Sequence, residues 1–167
     1  AIDRIVMVQF DLVQREDVEV GFNEPRPGRA ALELAELPGV RRVEPYRVVS
    51  ARLRFASRSR RVGLIGLSSE GELRRIVNDD LRIVNLPPEG IVLGSTLAES
   101  LGVAKGDIVT VEVTEGSRPV REVVIADVPR ELLGLSAYMD IRALNRLMME
   151  GGTVSGAFLS VDEDARA

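Results

Sequence analysis

The chain has 167 residues, 45% of them hydrophobic but only 4% aromatic, with a net charge of -4 and neither Cys nor His. That length suits one ordinary domain or two small, intimately packed ones, around an aliphatic core of Val, Leu, Ile and Ala. The missing side chains exclude Ser-His and Cys-His nucleophile pairs, zinc sites built on His or Cys, and thiol redox chemistry. The acidic balance counts against a general nucleic-acid binder.

Residues 5–22 alternate apolar and polar at Phe10, Leu12, Val18, Val20 and Phe22, which predicts a strand region. A helix follows in "RPGRAALELAELPG", with Pro27 near its start, Leu32, Leu34 and Leu37 as its apolar stripe, and Pro38-Gly39 as its stop. Residues 40–56 form a long strand. Ala51, Leu53 and Phe55 share one face, and Ser50, Arg52 and Arg54 the other. The "ASRSRR" tip turns the chain into a further strand, "VGLIGL". Two short strands flank an Asn78-Asp79-Asp80 turn, and "LPPEG" is a loop. A short helix then runs from an N-cap at Ser95 or Thr96 to a stop at Gly102. Strands over 108–113 and 120–127 are joined by the hairpin "TEGSRP". After a connector over 129–134, Asp140 caps a helix carrying Ile141, Leu144, Leu147 and Met148, and 154–161 is a last strand.

This order predicts an α+β fold: a split β-α-β lobe of ferredoxin-like type, over 1–57 plus 130–167, interrupted by an inserted β-rich lobe over 58–129. No apolar run reaches the 18 or so residues needed to span a bilayer. The chain starts at Ala1 and stops on "DEDARA", as expected of a segment cut from something longer.

Candidate chemistry is sparse. Asp79 and Asp80 are adjacent, so their side chains point apart, and they read as a turn rather than an acid/base pair. Asp162, Glu163 and Asp164 lack the glycine and distal glutamate of a calcium loop. Lys105, the sole lysine, sits between a helix end and a turn, where a cation complements the helix dipole. Gly63 and Gly66 lack the third glycine and the helix of a dinucleotide fingerprint. The arginines are denser. Arg41, Arg42, Arg47, Arg52, Arg54, Arg58, Arg60 and Arg61 are opposed locally by Glu44 alone. Arg52, Arg54, Arg58, Arg60 and Arg61 are therefore the candidate contact for a partner or anionic lipid. The competing reading is a solvated sheet face paired with acids from elsewhere in the fold.

Four stretches, "LPGVRRVEPYRVVSARLRF", "RRVGLIGL", "LPPEGIVLGSTLAESLGVAKGDIVTVEV" and "AYMDIRALNRLMMEGGTVSGAFLSVD", together resemble the extracytoplasmic domain of FtsX-like ABC-transporter permeases, the family of MacB-type and lipoprotein-releasing transporters. The resemblance spans nearly the whole chain. It implies a non-catalytic domain without cofactor, set outside the cell membrane between membrane helices of the same permease. The energy source would be a cytoplasmic ATP-binding subunit, and the outer contact an extracytoplasmic partner protein or lipidic substrate. On this reading the helix and Gly-Asp turn of "LAESLGVAKGD" seat a strand by packing, and no catalytic residue is carried over. The same element also resembles small interlocked β-barrels, such as molybdopterin-binding domains and AbrB-like regulators. A cofactor- or nucleic-acid-binding module is thus the alternative, and the flanking strand–helix–strand ends fit it poorly.

Overall fold

The computed structural model describes residues 16–73, 76–77, 82–130 and 137–162. Asp79, Asp80, Glu163 and Asp164 lie outside them, as do the first strand expected before residue 16 and part of the 129–134 connector.

The first described element is β1 (Val18–Pro27), followed by α1 (Arg29–Ala35) and the long β2 (Val40–Phe55). Gly28 caps α1, with Pro27 just outside it. The expected leucine stripe holds only in part. Leu34 packs inward, Leu32 and Leu37 are exposed, and Ala30 and Ala31 make the buried face. Small residues let the helix lie close on the sheet. β2 then turns through residues 56 and 57 into β3 (Arg58–Leu67), pairing from Tyr46↔Leu67 to Phe55↔Arg58. A small hairpin, β4 (Ile76–Val77) with β5 (Ile83–Val84), leads to β6 (Ile91–Leu93) and α2 (Ser95–Leu101). The chain continues as β7 (Ile108–Val113), β8 (Val120–Asp127), β9 (Ala137–Asp140), α3 (Ile141–Leu147) and β10 (Thr153–Val161).

β2 organises the whole. Its first half, Val40–Tyr46, pairs with β10, and β10 pairs with β1, giving a three-stranded antiparallel sheet covered by α1. Further along the same edge, Ala51–Arg54 pairs with β7, while the opposite edge holds β3. The sequence β2–β3–β9–β6–β8–β7 thereby closes on itself as a six-stranded ring. β3 runs parallel to β9 and β6 parallel to β8; the other neighbours in the ring are antiparallel.

The fold is mixed α+β, as expected, but the closed sheet is not specifically a ferredoxin-like split. The expectation rested on β9 and α3 joining the first lobe with β10. Instead β9 pairs with β3 and β6, and α3 packs into the ring. The reason is the face that each element must bury. Met139, Leu144, Leu147 and Met148 fill the ring interior beside Val49, Leu53, Leu64, Ile91, Leu93 and Ile125. Each such side chain, fully buried, contributes about 1.5–3 kcal/mol. Gly66 permits the approach, since a Cβ there would stand 2.9 Å from Leu144 and 3.0 Å from the Ile141 Cα. A second cluster of Tyr46, Leu67, Leu73, Ile76, Leu86, Val92 and Phe158 joins the three-stranded sheet to the outside of the ring. Within it the Tyr46 and Phe158 rings stack with centroids 4.7 Å apart.

The helix–turn–strand element from α2 into β7 is locally determined. α2 starts one residue earlier than the sequence suggested, with Gly94 as its N-cap. It ends in a Schellman motif: Gly102, at φ 75°, donates to the Glu99 carbonyl (3.1 Å), and Val103 donates to the Ala98 carbonyl (3.0 Å). In the following turn Asp107 N–H donates to the Ala104 carbonyl (3.0 Å), and the Asp107 carboxylate accepts from Ala104 N–H (2.9 Å). Gly106, at φ 95°, takes the position that a type II turn reserves for glycine. Gly106 and Asp107 then exchange hydrogen bonds with Ile125, which locks β8 beside β7.

Two strand glycines give opposite expectations. A Cβ on Gly156 would run into the Val20 carbonyl and the Tyr46 ring, whereas one on Gly63 meets nothing within 4 Å. Gly156→Ala should therefore destabilise by about 1–3 kcal/mol, the usual range for overpacking. Gly63→Ala should leave the urea midpoint unchanged or raised. Equal midpoints for the two variants would contradict this packing.

Candidate functional site

The arginine cluster divides over two faces. In β2 from Arg47 onward the odd positions face the core and the even ones face outward. Arg52 and Arg54 are on the outer face, and the register places Arg61 directly across from Arg52 and Ser59 across from Arg54. On the other flank β7 puts Glu112 opposite Arg52 and Thr110 opposite Arg54. Arg58 and Arg60 pair with the inward positions Phe55 and Leu53, so they stand at the ring's rim on the other side of the strand. The structure thus gathers Arg52, Arg54 and Arg61 and separates Arg58 and Arg60 from them.

Their partners explain how so much like charge is held. The Arg54 guanidinium reaches the Glu112 carboxylate at 2.6 Å. Arg52 stands between like-charged Arg61 and oppositely charged Glu112, so a destabilising cross-strand pair is offset by a favourable one. Arg58 donates to the Glu99 carbonyl (3.5 Å) in the last turn of α2. It is thus the cation at that helix end, where Lys105 had been expected; Lys105 is exposed on the turn that follows. Arg60 donates to the neighbouring Ser59 carbonyl (2.7 Å).

Four polar residues are buried among the described ones, Glu44, Arg47, Asp140 and Asn145, and the sequence had not marked Glu44, Arg47 or Asn145 as buried. Glu44 accepts from the backbone N–H groups of Glu72 (2.6 Å) and Leu73 (2.9 Å), and pairs with Arg42 at 2.8 Å. It pins the start of the excursion that leads to β4. Asp140 was read as the α3 cap and is one, accepting from Arg142 N–H at 2.8 Å. Arg47 is only 3% exposed, at the point where β2 leaves β10 and meets β7. It donates to Ser155 Oγ (3.2 Å) and to the Glu150 carboxylate (3.4 Å). The alternation contained the clue, since Arg47 has the parity of Val49, Ala51 and Leu53.

Among the described residues, two of the surface grooves are broad. One, of about 290 Å³, lies against Phe22, Pro25, Tyr46, Arg47 and Ser155. The other, of about 380 Å³, runs between β8 and α3. Neither is lined by the outer arginine patch. Among the described residues no cluster of three or more acidic side chains could hold a metal ion, and no helix is long and apolar enough to cross a membrane.

No protein-family model and no curated protein sequence matches the chain. Solved structures do. The extracellular domain of the noncanonic ABC-type transporter YknZ from Gram-positive bacteria superposes with a TM-score of 0.63 at 16% identity, over 89% of this chain and 85% of that one. The periplasmic region of MacB from Actinobacillus actinomycetemcomitans gives 0.56 at 14% identity, over 85% of this chain and 68% of that one. The chain therefore has the fold of the extracytoplasmic domains of ABC-type transporters.

The two settings of arginine predict different responses to truncation. Arg54→Ala removes an exposed ion pair and should change stability by about 0.2–1 kcal/mol. Arg47→Ala empties a buried site and strips Glu150 of its partner, so its loss should be on the order of 3 kcal/mol. Guanidinium melts of the two variants compare them directly; equal midpoints would refute the structural role given to Arg47.

Proposed function

We propose that this chain is the extracytoplasmic domain of an FtsX-like ABC-transporter permease. It is a non-catalytic part, held between membrane helices of its own polypeptide. It couples engagement of a substrate or partner outside the membrane to the cycle of a cytoplasmic ATP-binding subunit. The observation that carries this reading is the likeness of fold to the YknZ extracellular domain over 89% of the chain.

Two features support it. Asp17 and Asp162 lie at one end of the β1–β10–β2 sheet. Asp17 N–H donates to the Leu159 carbonyl (2.8 Å), its carboxylate accepts from Val161 N–H (2.9 Å), and Asp162 N–H donates to the Gly39 carbonyl (2.7 Å). A domain inserted between neighbouring membrane helices requires such adjacent entry and exit. The second feature is the shared strand. A displacement imposed on the three-stranded sheet reaches the ring through β2 without crossing a flexible linker. The division into a mixed lobe over 1–57 plus 130–167 and an inserted lobe over 58–129 belongs to this proposal as a division of the chain, with β9 and α3 of the last segment packed into the ring. So does contact of the Arg52, Arg54 and Arg61 face with anionic lipid or a partner protein.

The cofactor- or nucleic-acid-binding barrel is the second reading, favoured by the closed ring itself. Against it, the ring interior is occupied by aliphatic side chains from the strands, α2 and α3. In the gene, an apolar run of about 20 codons is expected before this segment, with further runs after it. Reporter fusions at either boundary should then place the segment outside the cytoplasm. Flanks without apolar runs, together with co-purifying pterin or nucleotide absorbance, would overturn the transporter reading.

A further inference from the structure

Two side chains on the outer sheet face each other with the same charge. Arg52 of β2 and Arg61 of β3 stand directly across from one another. Like charges in that position destabilise a sheet. Neighbouring acids relieve this only in part. Glu112 stands across from Arg52 on the other flank, yet its carboxylate pairs with Arg54 at 2.6 Å. Arg52 and Arg61 make no hydrogen bond or ion pair among the described residues. The register places Glu122 one strand further away, across from Thr110. The β2–β3 part of this face therefore carries three guanidinium groups, with Glu112 as the acid beside them.

These groups are accessible. Arg54 and Arg61 are exposed and Arg52 is half-buried. Ser50 and Gly63 follow them on the same face, and a Cβ on Gly63 would meet nothing within 4 Å.

The face also lies far from the end at which the chain enters and leaves. Asp17 and Asp162 are bonded beside Val161 and Gly39, next to the start of β2. From Val40 to Arg52 an extended strand covers on the order of 40 Å. In a domain hung upright from that end, the headgroups of its own bilayer are out of reach of the arginines. What meets them there is another extracytoplasmic molecule.

We infer that Arg52, Arg54 and Arg61 dock an acidic helix of a partner protein, and that this face is not a lipid contact. The spacing selects the partner. The backbones of β2 and β3 are about 4.8 Å apart at Arg52 and Arg61, and two residues along β2 separate Arg52 from Arg54 by about 7 Å. Carboxylates at i, i+3 and i+4 on a helix are about 5–6 Å apart. One acidic helix face thus meets all three guanidinium groups at once, each suited to bidentate pairing. A carboxylate set between Arg52 and Arg61 replaces their repulsion with two attractions. The direction in which this face points rests on the transporter reading.

The probe is a capped alanine-rich helical peptide with glutamates at i, i+3, i+4 and i+7, titrated at low salt into the 167-residue chain. Its control has the same composition with the glutamates spread around the helix. The one-faced peptide should bind at least tenfold more tightly than the control. Arg52→Gln with Arg61→Gln should weaken that binding at least tenfold while melting with the wild type, because the exchange relieves a like-charged pair. Arg41→Gln with Arg60→Gln removes the same charge elsewhere and should bind as the wild type does. Phosphatidylglycerol vesicles should leave the chain in solution on sedimentation. Equal binding of the two peptides, unchanged binding or an early melt of the Arg52 and Arg61 variant, or vesicle binding that depends on these arginines would each overturn the proposal. The peptide readout needs no membrane, so its failure leaves the transporter reading intact. Reporter fusions that place the segment in the cytoplasm would sink that reading and leave the peptide result intact.

Discussion

The structure depends on one strand serving two sheets. β2 is sixteen residues long, and one of its edges changes partner between Tyr46 and Ala51, from β10 to β7. A fork of this kind leaves backbone groups between the diverging strands, and buried groups of that sort must find other partners. Side-chain hydroxyls supply them. Ser155 Oγ accepts from Val48 N–H at 2.9 Å, and the Ser50 carbonyl accepts from both Thr114 N–H (2.9 Å) and Thr114 Oγ1 (3.0 Å). Arg47 fills the wedge and ties it to Glu150. These contacts join the three-stranded sheet to the ring alongside the β2 backbone, the cluster around Tyr46 and Phe158, and the Glu44 bonds to Glu72 and Leu73.

Ring closure then settles the rest of the packing. Once β7 returns to β2, the inward residues of six strands enclose one aliphatic core, and the two short helices complete it. Each helix has seven residues, too short to be stable alone in water. Their stability comes from the faces they bury: Ala98 and Leu101 on α2, and Leu144 and Leu147 on α3. The same closure removes free edges around most of the ring. Among the described residues β6, three residues long, pairs with β8 only from Ile125 onward.

The surface chemistry follows from strand register rather than from any catalytic arrangement. One-residue alternation sends Arg52 and Arg54 outward and Arg47 inward, so residues that look equivalent in a list have different roles. Outward, Arg54 pairs with Glu112, which stands across from Arg52. Inward, Arg47 is buried with a hydroxyl and a carboxylate. Buried polar contacts thus fix how the two sheets join, while the charge on the outer face stays exposed.

The sequence by itself determined what is local. The alternation of β2 and the boundaries of β7 and β8 were legible, as were the Gly102 stop, the Gly-Asp turn and the Asp140 cap, because each rests on φ preference or two-residue periodicity within a few neighbours. The α+β class and the likeness to transporter domains were legible too. Only the tertiary structure decided that β9 and α3 belong to the ring, that Arg58 and Arg60 part from Arg52, Arg54 and Arg61, and that β6 meets β8 from Ile125 onward. Those outcomes depend on pairings such as Ala51 with Val113 and Leu64 with Ala137, between residues more than sixty positions apart. A strand's pattern states which face it must bury. It does not state which distant strand will cover the edge, and here that choice made a closed ring from what would otherwise read as two open sheets.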